Sequence, residues 1–346
     1  MKAVWVTRSF LDYRIPVYRA LSKRLNDRFT LVFNADYVPD RCVQKARQAL
    51  GHRAKGLRGE IAIRIGPQKE FANRGFRFPY QRGLVRAVLE ERPDVLISDG
   101  FFQWTAAALW LRATRGIPHV MCYEKTEHTE RNAPWYRTAY RKLARRWIDA
   151  LCCNGSLSGV YARRLGFPTQ RIRYGNMVAD VGGLLKNLSL VTCEQRAQIA
   201  ARHALKGVVF LYVGRLIRLK GVRELLAGWK RFAAQSNGQE TTLLMVGEGP
   251  ERGVLEQYCR EHGLHNVCLA GEIDYDHLAA YYQSADAFII PTLEDNWSLV
   301  VAEAMACGLP ILCSRYNGCW PELVTEANGW VFDPLRVEET CGVLVQ

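Results

Sequence analysis

No stretch of the 346 residues approaches the ~18 apolar residues that a membrane-crossing helix needs; an uncharged run such as Gly100 to Leu111 is far too short. The amino terminus does not read as a secretory signal, because its apolar run stops by Thr7 and Arg8 follows directly. The eleven cysteines include no pair at C-x-x-C spacing, which leaves out a zinc site. Cys152 and Cys153 are adjacent, and others such as Cys122, Cys307 and Cys313 lie scattered in apolar runs. That pattern excludes a disulfide framework and reads as reduced core thiols of a cytoplasmic protein. Acid is also short: 34 Asp and Glu stand against 47 Lys and Arg.

The shortage is confined to one half. Residues 1–185 hold 33 Lys and Arg against 15 Asp and Glu, whereas residues 186–346 hold 14 against 19. Two explanations stand: an anionic partner for the first half (a membrane, a nucleic acid or a phosphorylated substrate), or a solubilising surface charge.

What is present is an alternation of short apolar strands with amphipathic helices. In the first half, strands are expected over Lys2–Val6, Phe29–Asn34, Asp94–Ser98, Ile117–Tyr123 and Ala150–Asn154. Helices are expected over Pro16–Leu25, Thr105–Thr114 and Trp135–Ile148. Cys42–Arg82, rich in Arg and Gly, reads as loops and short strands. After a weak stretch from Asp180 to Ala204 the pattern restarts, with strands over Val208–Val213, Thr242–Val246, Asn266–Ala270, Ala287–Ile290 and Ile311–Cys313. The helices between them are Val222–Ala233, Glu251–His262, His277–Ser284 and Leu299–Cys307. The expected fold class is α/β: two doubly wound Rossmann-like domains facing a cleft, residues 1–185 and 186–346. Ligands of such sheets bind outside the carboxyl ends of the strands.

Four segments of the second half fall just after strands. In the first, Gly214 is followed by Arg215 and Lys220, a guanidinium fork and a point charge suited to a diphosphate or to plain solvent. Gly247-Glu248-Gly249-Pro250 has two glycines of a dinucleotide fingerprint but lacks the third, so it reads as a tight turn into a helix. Asp274 and Asp276 form an Asp-x-Asp, a metal-holding pattern in other enzymes; Asp276 immediately precedes the helix at His277, and a helix cap is the favoured reading. The fourth segment is the most specific. Asp295 lies in a polar loop, Ser298 and Leu299 open a helix whose N–H groups suit an anion, and Glu303 sits inside an apolar helical run that Gly308-Leu309-Pro310 closes.

These residues, in this order and spacing from about 207 to 333, resemble the retaining glycosyltransferases of the GT-B fold, family 4 type. The resemblance implies a nucleoside-diphosphate-sugar donor, with Arg215 and Lys220 on its pyrophosphate, Asp295 on the sugar hydroxyls and Glu303 on the ribose. Gly214, Ser298, Leu299 and the backbone of Ile273 complete the donor side, the last at the base. The family pattern carries a glutamate where this chain has Asp295, one methylene shorter. It implies no metal and no other cofactor. The first half resembles the family more loosely, through Asn176-Met177-Val178-Ala179-Asp180. Glu124 stands where many members have a histidine after a strand, with Glu127 and His128 shortly beyond, and Arg8, Asp12 and Arg14 occupy a loop usually rich in glycine. Arg8, Arg14, Glu124, Glu127 and His128 are therefore the candidates on the acceptor side.

The implied activity is hexosyl transfer to a lipid-linked or saccharide acceptor in cell-surface polysaccharide synthesis. Rivals are a nucleotide-sugar epimerase of the same fold, a non-catalytic nucleotide-binding scaffold, and a nucleic-acid binder, the last not favoured. The basic aromatic segment from Trp135 to Trp147 suits either an anionic membrane face, with Arg141, Lys142, Arg145 and Arg146 as its cations, or a helix packing Tyr140, Leu143 and Trp147 inward. A cytoplasmic protein peripheral on the inner membrane face is expected. Val337–Gln346 starts a helical pattern and stops, so the second domain is expected to be truncated.

Overall fold

The structure is a computed structural model that describes residues 1–65, 76–101, 104–235 and 240–346. Its contacts divide the chain into two units, Met1–Val178 and Ala179–Gln346. The division falls ahead of the expected 185/186 because the helix Val181–Leu188 packs on helices of the second unit.

The first unit contains β1 (Ala3–Thr7), β2 (Phe29–Asn34), β3 (Ala54–Leu57), a hairpin of β4 (Ile61–Ile65) and β5 (Phe76–Tyr80), then β6 (Val95–Asp99), β7 (His119–Tyr123), β8 (Ala150–Cys153) and β9 (Ile172–Tyr174). Seven of these strands form one parallel sheet in the order β3-β2-β1-β6-β7-β8-β9. β1 and β2 are buried along their whole length, as strands covered on both faces must be. Alternate residues serve opposite faces. Ala3 and Trp5 pack with Tyr18, Phe29 and Phe33, while Val4 and Val6 pack with Leu96, Trp104 and Leu111.

Beyond the unit boundary come β10 (Val208–Val213), β11 (Thr241–Val246), β12 (Val267–Gly271), β13 (Ala287–Ile290), β14 (Ile311–Ser314) and β15 (Gly329–Phe332). They form a parallel sheet in the order β12-β11-β10-β13-β14-β15 around one core that includes Phe210, Trp229, Leu244, Phe288 and Ile289. In both sheets the order reverses beside the first strand of the unit. The crevice at such a switch point is where doubly wound sheets take ligands: between β1 and β6 in one unit, and between β10 and β13 in the other.

Where expectation and structure differ, local chemistry explains it. The segment from Cys42 on begins inside a helix, Asp40–Leu50, whose buried stripe is Cys42, Val43, Ala46 and Leu50. Part of that segment lies outside the described residues. The weak stretch holds two helices. Val181–Leu188 is capped by the Asp180 carboxylate, which accepts from the Gly183 amide at 3.0 Å. Cys193–Arg202 is opened by a reciprocal box between Thr192 and Gln195.

Candidate functional site

The loop after β10 and the loop after β13 are laced together across the switch point of the second unit. The Thr292 hydroxyl donates to the Leu219 carbonyl at 2.9 Å, and the Leu293 amide donates to the same oxygen at 2.8 Å. Gly221 makes this approach possible. It has φ +67°, and a Cβ there would stand 1.9 Å from the Pro291 carbonyl oxygen. On the far side of the same loop, a Cβ on Gly318 would stand 1.9 Å from the Asn296 carbonyl oxygen.

The consequence is an ion pair between Lys220 and Asp295. Asp295 also accepts from the Ser298 hydroxyl at 2.5 Å and from the Trp297 amide at 3.1 Å. Burial alone would raise its pKa; the Lys220 ammonium and these donors outweigh burial and hold the carboxyl below its usual range. Ser298, at the start of the helix Leu299–Ala306, is fixed in turn by the Asn317 amide, which donates to its hydroxyl at 2.9 Å. Its side chain is thus turned to Asp295 and makes no cap bond, while the amides of Ser298 and Leu299 stand at the open end of the helix.

Arg215, in the same loop as Lys220, is exposed, and among the described residues its guanidinium makes no ion pair. Gly214 ends the strand before it. Glu303 is 5% exposed on the same helix as Leu299, and the buried Tyr282 hydroxyl donates to it at 2.9 Å. Among the described residues no cation pairs with Glu303, so burial pushes its pKa up against the Tyr282 bond. Ile273 lies apart from these groups, on a cavity of about 480 Å³ with Asp274 and Asp276. Asp276 does not cap the helix as expected: a short 3-10 turn, Tyr275–His277, intervenes, the helix begins at Leu278, and neither terminus has a side-chain cap bond.

In the first unit, Arg14 and Glu124 line a second cavity of about 330 Å³, at the carboxyl ends of β1, β6 and β7. The other three acceptor candidates are not among the residues lining it. Arg8 donates to both oxygens of Glu60 at 2.8 Å and lies over the Tyr37 ring. Glu127 pairs with Arg164, and the His128 carbonyl accepts from Arg131. Arg141, expected as a surface cation, is 1% exposed, pairs with Glu130 at 2.7 Å and donates to the Tyr161 hydroxyl at 2.9 Å. Leu143, expected to point inward, is 49% exposed. The helix, Trp135–Ala144, is rotated from that reading because Arg137, Arg141 and Ala144 form its buried face. Sequence reasoning missed Tyr282 and Asn317, whose partners Glu303 and Ser298 lie far along the chain.

Comparison with known proteins gives two family matches. Residues 195–340 match the model for glycosyl transferases group 1, and residues 17–175 match that for a glycosyl transferase 4-like domain. An uncharacterised glycosyltransferase of Methanocaldococcus jannaschii is 33% identical over 126 residues, 36% of this chain and 32% of that one. A glycogen synthase of Mycobacterium tuberculosis is 33% identical over 136 residues, 39% of this chain and 32% of its own. An O-antigen chain mannosyltransferase B of Escherichia coli is 29% identical over 138 residues, 39% and 35%. The matched part thus spans about a third of these curated relatives. Among solved structures, Anabaena Alr3699/HepE in complex with UDP is 15% identical with a TM-score of 0.71, covering 100% of this chain and 89% of that one. A UDP-forming trehalose-phosphate synthase from Burkholderia xenovorans gives 0.71 at 11% identity, covering 100% and 90%. The fold is that of the two-domain GT-B glycosyltransferase structures, and both family models and these curated relatives are of glycosyltransferases or sugar-polymer synthases.

Proposed function

We propose that the second unit binds a nucleoside-diphosphate-sugar and that the chain transfers the sugar, with retention, to a lipid-linked or saccharide acceptor in cell-surface polysaccharide synthesis. One observation carries this reading: the Lys220–Asp295 pair spans the switch point at the open end of the Leu299–Ala306 helix, with Arg215 in the same loop as Lys220. Transfer requires the nucleoside diphosphate to leave the anomeric carbon, and negative charge grows on its phosphates as it goes. Fixed cations and helix N–H groups stabilise that charge without reorganising, which is usually the largest catalytic term. On donor binding, Lys220 and Arg215 turn to the phosphates. Asp295, already ionised, then accepts from a sugar hydroxyl. Glu303 accepts from a ribose hydroxyl. A solved neighbour of the same fold holds UDP, which supports a donor of this class, and the mannosyltransferase among the relatives supports a saccharide acceptor.

Cations supply the whole charge in this scheme, so no metal is required. Among the described residues, Asp274 and Asp276 belong to no group of three or more candidate metal ligands. The test is a thermal-shift screen of nucleotide-sugars on the full chain, followed by a turnover assay in chelator. One nucleotide-sugar should raise the melting temperature, and turnover should survive the chelator. Loss of turnover restored by magnesium or manganese would overturn the metal-free scheme, and a screen with no stabilising donor would overturn the function.

The first unit also presents a face suited to an anionic membrane. Among the described residues no helix is long and apolar enough to cross one. The exposed side of the Trp135–Ala144 helix carries Trp135, 81% exposed, with Tyr136 and Leu143, and Lys142, Arg145 and Arg146 stand exposed beside them. Each such cation contributes up to about 1 kcal/mol near an anionic leaflet, and the aromatics add an apolar contribution that salt does not remove. Liposome flotation should recover the protein with anionic lipid and not with neutral lipid. Changing Lys142, Arg145 and Arg146 to Ser should abolish recovery, with Arg141 left intact because it belongs to the core. Equal recovery on both lipids, or none on either, would remove the membrane from the scheme.

A further inference from the structure

Two cysteines face each other on neighbouring strands of the first unit. Cys122 on β7 and Cys152 on β8 are register partners in the parallel sheet. Residues paired this way point to the same face, and both pack in the cluster around Trp5, Tyr18 and Phe29. The next residue of each strand, Tyr123 and Cys153, packs on the opposite face. Neighbouring strands lie about 4.8 Å apart. That separation falls within the roughly 4.4 to 6.8 Å that a disulfide spans between Cα atoms. The two thiols already touch, Cys122 being hydrogen-bonded to Cys152.

Their surroundings set them apart. Cys122 is buried and lines the first-unit cavity of about 330 Å³, while Cys152 is half-buried. The Arg14 guanidinium, on the same cavity wall, places a positive charge near both sulfurs. Arg14 is itself fixed: its Nη1 donates to the Asn176 carbonyl at 2.8 Å, and the Asn176 side-chain amide donates at 2.9 Å to Asn154, two residues beyond Cys152. The thiolate is the nucleophilic form of cysteine, and a hydrogen-bond donor and a nearby cation both favour it. Donation from Cys122, aided by Arg14, holds the Cys152 thiol below its usual range in spite of burial. Burial pushes the neighbouring Cys153 the other way, up to about 12. Cys152 is thus a nucleophile with a second thiol in contact with it.

We propose that Cys122 and Cys152 form a redox site, which a hydroperoxide converts reversibly to a disulfide on the cavity wall. The Cys152 thiolate attacks one oxygen of the peroxide, the O–O bond breaks and hydroxide leaves. The sulfur is oxidised to a sulfenic acid as the peroxide is reduced by two electrons. The Cys122 thiol then attacks the Cys152 sulfur, its proton leaves with the sulfenic oxygen as water, and the S–S bond closes. Closure removes the thiolate that faces Arg14. Neither thiol takes part in the proposed sugar transfer, and the redox site does not depend on that reaction.

The test uses the full chain, reduced and then exposed to hydrogen peroxide at neutral pH. Free thiols are alkylated at intervals and the tryptic peptides read by mass spectrometry. Cys122 and Cys152 should disappear together into one disulfide within a single chain, at least tenfold faster than Cys193 is oxidised. Cys193 is the exposed thiol among the described residues, and attack governed by access alone would take it first. A dithiol reductant should restore both cysteines. Cys153→Ala should still form the disulfide. Cys122→Ala should form none, and its Cys152 should be trapped as the sulfenic acid by a 1,3-diketone. Oxidation of Cys193 ahead of the pair, a Cys152–Cys153 link, a link between two chains, or a disulfide lost in Cys153→Ala would each overturn the proposal. So would oxidation of the pair that the reductant does not reverse.

Discussion

Lys220→Ala is expected to lower turnover by about 10²- to 10³-fold, the usual loss when one preorganised group facing a developing anion is removed. The variant should also lose stability, by about 2 kcal/mol, because Asp295 keeps its burial but loses its counter-charge; the loss is smaller than for a fully buried pair, since the Lys220 side chain is 23% exposed. The pH dependence separates the two effects. With Lys220 present the Asp295 carboxyl is held below its usual value, so its stabilising contribution is present above that usual value and is lost only as pH falls through the lower folded pKa. Without Lys220, burial is opposed only by the Ser298 and Trp297 donors, and the folded pKa rises. The stability gap between variant and parent should therefore be wider at neutral pH than in mild acid. Lys220→Ala combined with Asp295→Asn should recover stability but not turnover. Thermal melts across pH and a donor-turnover assay check this, and parental turnover in Lys220→Ala would sink the pyrophosphate assignment.

Glu303→Gln is expected to weaken nucleoside diphosphate binding by about 10- to 100-fold, the range for loss of a hydrogen bond to a charged group. A second signature is more specific. In the free protein burial raises the Glu303 pKa, with only Tyr282 donating to the carboxylate. A ribose hydroxyl donating to Glu303 favours the ionised form, so binding lowers that pKa and releases protons at pH values between the free and bound positions. Calorimetry in buffers of different ionisation enthalpy should show this release in the parent and not in Glu303→Gln. Asp295→Asn should impair turnover while largely sparing nucleotide affinity. Unchanged nucleotide affinity in Glu303→Gln would remove Glu303 from the ribose.

The strands were legible because a doubly covered parallel strand is a short apolar run with little ambiguity. Phe29–Asn34, Val208–Val213 and Ala287–Ile290 match their expected ends. Helices resting on small residues were less so. Asp40–Leu50 buries Cys42 and Ala46, which give a weak apolar stripe beside Arg and Lys. The Thr192 to Gln195 capping box was readable, but the Gly182-Gly183 pair upstream masked the region. At the donor side the local signals sufficed for Lys220, Asp295 and Glu303, since each lies in a segment with its own pattern. Tyr282 and Asn317 act across 21 and 19 residues, and no local pattern announces a partner that only the fold brings near. Arg141 shows the opposite failure. An arginine in a basic helix reads as surface, and partners such as Glu130 and Tyr161, which only the fold brings near, make its burial affordable.

Gly221 and Gly318 touch no candidate ligand, yet they set how closely the Lys220 and Asp295 loops come together. The span between the two charges is therefore a property of main chain resting on main chain rather than of side-chain length. It resembles a jig cut to one dimension: side chains around it can be exchanged without altering the gauge, whereas a single methyl group at either glycine would prise the loops apart and shift both charges together.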